Sequence, residues 1–162
     1  MTTHWKLRTF EQLSTIELYT ILQLRQGVFV LEQNCPYLDC DNKDQRAHHL
    51  LGSLTESPVE ELAAYLRIII PLAPEDVPHI GRVVCHPKVR GKGLGKKLVE
   101  KGISHCNMLF PGKPIKISAQ QHLVNFYTDL GFRVCSAPYD EDGITHIEMI
   151  YTNAPEDLAL GS

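Results

Sequence analysis

The sequence contains no uninterrupted apolar run approaching the roughly 18 residues of a membrane-crossing helix. Its opening, MTTHWKLRTF, lacks the apolar segment of a secretion signal, so a cytoplasmic location without membrane contact is expected. An excess of positive charge is also missing. Sixteen Lys and Arg stand against 19 Asp and Glu, a net charge of −3, which argues against general nucleic-acid affinity. The five cysteines, Cys35, Cys40, Cys85, Cys106 and Cys135, are odd in number and irregularly spaced, as reduced thiols are and a disulfide framework is not. Cys35 and Cys40, with Asp39, Asp41, His48 and His49 nearby, have no second cysteine pair and the wrong spacing for zinc, so no metal is expected. Internal repeats and low-complexity tracts are absent.

What is present fits one compact domain. The 162 residues are long enough to bury a substantial core, and 43% hydrophobic with 22% charged residues is ordinary for a globular chain. Ser14 stands three residues before Glu17, a capping box that starts a helix near Thr15, whose apolar stripe runs Leu18, Ile21, Leu22, skips Arg25 and resumes at Val28 and Phe29. Asn34, Pro36 and an Asp/Asn/Lys cluster then predict a loop from about Gln33 to Ala47. HHLLGSL, ELAAYLRIII and PHIGRVVCH predict three strands of an antiparallel meander, with a turn over TESPVE. Helical spacing from Leu94 to Leu109, followed by FPGKP and the strand IKISA, predicts a parallel strand–helix–strand unit. A short helix over HLVNFYTDL ends at Gly131, and FRVCSA and ITHIEMIY predict two last strands with the turn signal Asp142-Gly143 between them. The domain is expected over residues 1–153, with 154–162 as a tail.

Between the strand ending at VVC and the helix starting near Leu94, the chain places Arg90, Gly91, Lys92, Gly93, Gly95, Lys96 and Lys97 in close succession. A helix's first turn has unsatisfied N–H groups and the positive end of the macrodipole, and glycines let the backbone wrap an anion. The Walker pattern fails, because Arg90 stands at its first glycine and Lys97 at its hydroxyl. The dinucleotide fingerprint fits poorly, since the glycines run Gly-x-Gly-x-Gly with no acidic residue at the required distance. A third pattern, Gln/Arg-x-x-Gly-x-Gly/Ala, is filled by Arg90, Gly93 and Gly95 without a gap.

At these residues the sequence resembles the GNAT N-acetyltransferase family. NFYTDLGF, Asn125 to Phe132, is similar to that family's second signature, and VFVLEQNCPYLDCD, SAQQHLVNFY and EDGITHIEM resemble its ElaA-like branch, so the likeness runs from about Trp5 to Tyr151. The resemblance implies a mixed α/β fold: a twisted, mostly antiparallel sheet, splayed at its single parallel strand pair, with helices on both faces. It implies acetyl-coenzyme A as co-substrate, its pyrophosphate on Arg90, Gly91, Lys92, Gly93, Leu94, Gly95 and Lys96, its pantetheine along Val83, Val84 and Cys85, and Asn125 as a further contact. It further implies direct attack by a primary amine of a small molecule or peptide, with Tyr127 matching the general acid. Candidate bases are Glu32, His146 and His86. Arg67 and Arg82 are expected either to face solvent or to meet an acceptor carboxylate, and of the adjacent His48 and His49 at most one faces a pocket. A non-catalytic coenzyme A-binding module is the alternative. Nucleic-acid binding through Lys88, Arg90, Lys92, Lys96 and Lys97 is disfavoured, because few aromatics interleave with them. The assembly expected is a monomer or homodimer.

Overall fold

The computed structural model describes residues 2–54 and 61–153; the turn over TESPVE and the C-terminal tail lie outside them. Eight strands form one sheet in the order β1-β2-β3-β4-β5-β8-β6, with β7 paired to β8 off that path. The strands are β1 (Thr3–Thr9), β2 (Ala47–Leu54), β3 (Glu61–Ile69), β4 (His79–Cys85), β5 (Ile115–Gln120), β6 (Arg133–Val134), β7 (Tyr139–Glu141) and β8 (Ile144–Tyr151). Among the described residues only β4 and β5 run parallel, joined through helix α2 (Leu94–Leu109), and the other pairs are antiparallel.

Helix α1 (Thr15–Arg25) begins where the capping box places it: Ser14 Oγ accepts the Glu17 N–H at 3.0 Å and the Glu17 carboxylate accepts the Ser14 N–H at 2.8 Å. It then widens into a π-helical stretch over Gln26–Glu32, a form that recurs at functional sites. The alternation of strands assigns the two helices to opposite faces. Leu50, Leu66 and Ile68 pack against Leu98, Val99 and Ile103 of α2, whereas Leu51 and Tyr65 pack against Ile21, Leu24 and Val28 on the α1 side. α2 approaches closely because Gly102 has no side chain; a Cβ there would lie 2.8 Å from Leu66 Cδ2. Helix α3 (Val124–Asp129) ends at Gly131, whose φ of +104° is the left-handed stop expected of glycine.

Two strands escaped the sequence pattern. β1 pairs along its length with β2 and lays Trp5 over Gly52, where any Cβ would lie 2.6 Å from the indole. At the other end, the turn at Asp142 (φ +53°) and Gly143 (φ +83°) closes a hairpin between β7 and β8, not between FRVCSA and β8. FRVCSA contributes only the two residues of β6, paired to Ile150 and Met149.

Candidate active site

A bulge in β4 shapes the centre of the sheet. Tyr65 pairs with Val84 and Arg67 with Gly81, so Leu66 alone faces both Arg82 and Val83, and Arg82 takes a left-handed φ of +51°. On the other edge, β4 pairs with β5 only through His79↔Lys116 and Ile80↔Ile117. From Gly81 onward that edge has no strand partner among the described residues, and the two strands diverge. A cavity of about 520 Å³ lies at the divergence, walled by Gly81, Val83, Ile117, Ser118, Tyr127 and His146, with Phe29 and Gln33 of the π-helical end of α1 on the far side.

At the C-terminal end of β4 the chain makes the glycine turn. His86 Nδ1 accepts the Lys88 N–H at 3.2 Å and Val89 is buried, which anchors a 3₁₀ turn before Arg90. Gly91 and Gly93 hold φ of +80° and +79° with open space where a Cβ would sit, and Gly93 caps α2 without a side-chain hydrogen bond. Leu94 packs partly on the core, Lys92 and Lys96 are exposed, and a Cβ on Gly95 would make ordinary 3.8 Å contacts with Cys85 Sγ and Phe126. Glycine is therefore required at 91 and 93 by backbone conformation, while 95 has room. These features suit a diphosphate with an extended amide arm: free N–H groups at the start of α2, and an unpaired strand edge at Val83, Val84 and Cys85 leading to the cavity.

Tyr127 is 4% exposed, its ring edge-on to Phe126 at 5.0 Å and to Phe132 at 5.8 Å, and it lines the cavity. Its hydroxyl makes no hydrogen bond to another described residue, and burial, with the Cys85 thiol beside it, pushes its pKa above the ordinary phenol value. The hydroxyl is protonated at neutral pH. His146 lies on β8 in the same cavity. Its Nδ1 is 2.8 Å from the Ile144 carbonyl, which only accepts, so in a neutral ring this contact favours the proton on Nδ1 and leaves Nε2 as the nitrogen able to accept one. Glu141 is 3.4 Å from that Nε2, and the ring stacks on Tyr139.

Other candidates sit elsewhere. Glu32 is outside the cavity, clamped by Arg90 Nη1 and Nη2 at 2.6 and 2.7 Å, and this hydrogen bonding holds its carboxyl below the usual range, which unsuits it as a base. Arg90 also donates Nε to the Cys85 carbonyl at 3.3 Å. His86 is occupied in its turn, and Asn125, two positions from Tyr127 on a short helix, is exposed and outside the cavity. His49 is buried between the Tyr65 hydroxyl (2.7 Å) and the Asp44 carbonyl (2.9 Å); neither it nor His48 lines the cavity.

Arg67 and Arg82 do not face open solvent: both line the cavity, and both are paired with carboxylates of this chain. Arg67 is 3% exposed and donates to Asp41 at 2.8 and 2.6 Å and to Asp44 at 2.9 Å; Arg82 donates Nε to Asp39 at 2.8 Å. Fully buried Arg25, which interrupts the apolar stripe of α1, meets Asp39 at 2.8 Å and Asp44 at 2.7 Å. Strand parity explains the cluster, since His49, Tyr65 and Arg67 all share the α1 face with Arg25. The cysteine- and aspartate-containing segment is thus a set of counterions. Among the described residues no group of three or more His, Cys, Asp or Glu is placed to hold a metal, and no helix is long and apolar enough to cross a membrane. A lone cation within an apolar pattern is the signal that would have pointed to this network.

The comparisons agree with this architecture. A family model described as an acetyltransferase (GNAT) domain matches residues 60–153. Protein ElaA of Escherichia coli is 41% identical over 147 residues, 90% of this chain and 94% of its own. The crystal structure of Escherichia coli ElaA matches with a TM-score of 0.85 at 39% identity, covering 93% of this chain and 99% of that one. An acyl-CoA N-acyltransferase from Pseudomonas aeruginosa matches with a TM-score of 0.86 at 38% identity, over 93% of this chain and 100% of its own. A UPF0039 protein of Synechocystis is 38% identical over 155 residues, 96% of this chain and 99% of its own. The strand divergence, the glycine turn and nearly the whole sequence lead to one placement: this chain belongs to the GNAT acetyltransferase family.

Proposed function

We propose that this acyltransferase moves an acetyl group from acetyl-coenzyme A to a primary amine by direct attack. One observation carries the reading: the bulged edge of β4, unpaired with β5 from Gly81 onward, runs from the glycine turn to a cavity that Tyr127 and His146 both line. The name of the Pseudomonas relative, an acyl-CoA N-acyltransferase, supports the donor class. Gly91 to Lys96 bind the donor's diphosphate through backbone N–H groups, and Val83 to Cys85 hold its amide arm. In the reaction the amine nitrogen bonds to the thioester carbonyl carbon and the C–S bond breaks, leaving an amide and a thiolate.

His146 Nε2 takes the proton that the nitrogen sheds, and Glu141 stabilises the imidazolium. This help matters most for an alkylamine. With a pKa of about 10.4 it is neutral at pH 7 in only about one molecule in 2,500, a penalty near 4.6 kcal/mol, whereas an α-amine near 7.8 is neutral in roughly a seventh. Tyr127 acts by hydrogen bonding rather than by full proton transfer. A phenol at 10 is already about 1.5 units, or roughly 2 kcal/mol, too weak an acid for a thiolate whose thiol sits near 8.5, and burial widens that gap. The five cysteines are free, which suits a reducing compartment such as the cytoplasm.

The test is to incubate the protein with acetyl-coenzyme A and, in turn, alkylamines, polyamines, amino acids and peptides, following free thiol. Acceptor-dependent thiol release is expected. Coenzyme A binding without transfer to any amine would favour a non-catalytic binding module, and no heat with millimolar coenzyme A would end the reading.

A further inference from the structure

Among the described residues, four that are not glycine have positive φ: Asn34, Asn42, Arg82 and Asp142. Asn and Asp tolerate that region through local hydrogen bonds, but an arginine inside a strand does not adopt it unaided. Arg82 is restrained by the 33–46 loop. Its Nε donates to Asp39 Oδ1 at 2.8 Å, its Nη2 donates to the Asp39 carbonyl at 3.1 Å and lies 3.4 Å from Asp41 Oδ2, and its guanidinium carbon lies 5.6 Å from the centre of the Tyr37 ring. Asp39 is anchored in turn. Its Oδ2 accepts Arg25 Nε at 2.8 Å, its Oδ1 accepts the Tyr37 hydroxyl at 2.8 Å, and its carbonyl accepts Arg25 Nη2 at 3.0 Å. This residue therefore ties α1, the loop and the bulge of β4 together, yet it does not line the cavity.

We propose that Asp39 is a positioning residue: by clasping the Arg82 guanidinium it holds residue 82 left-handed, keeps the bulge in β4, and so presents the unpaired edge from Val83 to Cys85 to the acyl donor. The inference rests on the acyltransferase reading above. Released from the clasp, residue 82 relaxes to negative φ, the bulge flattens and β4 continues its pairing with β5, closing the divergence. Arg25 has a second carboxylate, Asp44 at 2.7 Å, besides Asp39, so the guanidinium retains a counterion when Asp39 is replaced.

The decisive pair is Arg82→Gly against Arg82→Ala. Both remove the guanidinium and both leave Asp39 on Arg25, but only glycine holds φ near +51° freely. Coenzyme A, measured by calorimetry, is expected to bind the Gly variant about tenfold more tightly than the Ala variant, with acetyl transfer following the same order. Asp39→Ala is expected to lower kcat about tenfold, and adding Arg82→Gly to it to recover most of that loss, a rescue that a merely structural role for Asp39 would not give. Equal affinities for Gly and Ala at 82, or a double variant no better than Asp39→Ala, overturn the clasp. If Asp39→Ala does not fold by circular dichroism, the pair at 82 decides alone. A wild-type protein that binds no coenzyme A overturns the acyltransferase reading itself, a result distinct from either failure of the clasp.

Discussion

Replacing Tyr127 with Phe removes one oxygen and leaves the ring between Phe126 and Phe132. Because the hydroxyl has no hydrogen-bond partner among the described residues, its removal strands no other polar group there, and the melting temperature is expected to stay within a few degrees of wild type. The transition state is different. A hydrogen bond to a charged sulfur is worth about 1.5–3 kcal/mol, which corresponds to a kcat loss of roughly tenfold to a hundredfold. KM for acetyl-coenzyme A should change little, since the bond strengthens only as the thiolate forms. Thiol release at saturating donor, together with calorimetric coenzyme A affinity, separates these quantities. An unaltered kcat with intact binding would refute the role given to Tyr127, and an equal loss in affinity would make it a donor-binding residue instead.

Three further outcomes test the remaining assignments. His146→Gln should lower kcat by about a hundredfold or more for an alkylamine acceptor and by less for an α-amine, read as thiol release with both acceptors. Glu32→Gln should leave kcat within about threefold and shift stability by less than about 1 kcal/mol, because a half-exposed ion pair contributes little and the carboxylate lies outside the cavity on Arg90; a hundredfold loss would restore it to the role of base. Asp44→Ala strips the carboxylate shared by Arg25 and Arg67 and should cost about 3–5 kcal/mol, lowering the melting temperature by roughly 10 °C. In the wild type, burial pushes the Asp41 and Asp44 carboxyls up, but Arg67 and Arg25 outweigh it and hold them below the ordinary range. Their stabilisation is therefore complete above the unfolded value of about 3.9 and lost as pH falls through the lower folded values, which acid melts would follow.

The parts legible in the sequence were those fixed by near neighbours. Ser14 and Glu17 start α1, the glycines at 91 and 93 mark positive φ, and the strand–helix–strand run around α2 gives the parallel pair. What stayed hidden depends on residues far apart in the chain. Arg25 interrupts an apolar stripe and reads as a surface position until Asp39 and Asp44, 14 and 19 residues later, are folded over it. Glu32 looks like an available base until Arg90, 58 residues on, is brought against it. β1 went unseen because its apolar alternation is weak and its largest side chain packs over a glycine on another strand. His146 was a candidate from its motif alone; the carbonyl that sets its tautomer is visible only in the folded hairpin.

A largely buried cluster of three arginines and three aspartates, with Arg82 and Asp41 partly exposed, is a poor way to gain stability, because desolvation offsets most of the attraction and apolar residues of similar size would do as well. Its value here is geometric. The 33–46 loop has little apolar anchorage, with Leu38 80% exposed, so packing alone would leave it free to slide over the α1 face. Ion pairs with defined donor directions fix it in one register: Arg25 holds it to the helix, Arg67 to β3 and Arg82 to the bulge. The same loop contributes Tyr37, Leu38, Asp41 and Lys43 to the cavity wall. Its position consequently sets both the edge that would receive the donor and the space left for the acceptor, which makes substitutions at 37, 38 and 43, rather than at the charged anchors, the place where acceptor preference can change without unfolding the site.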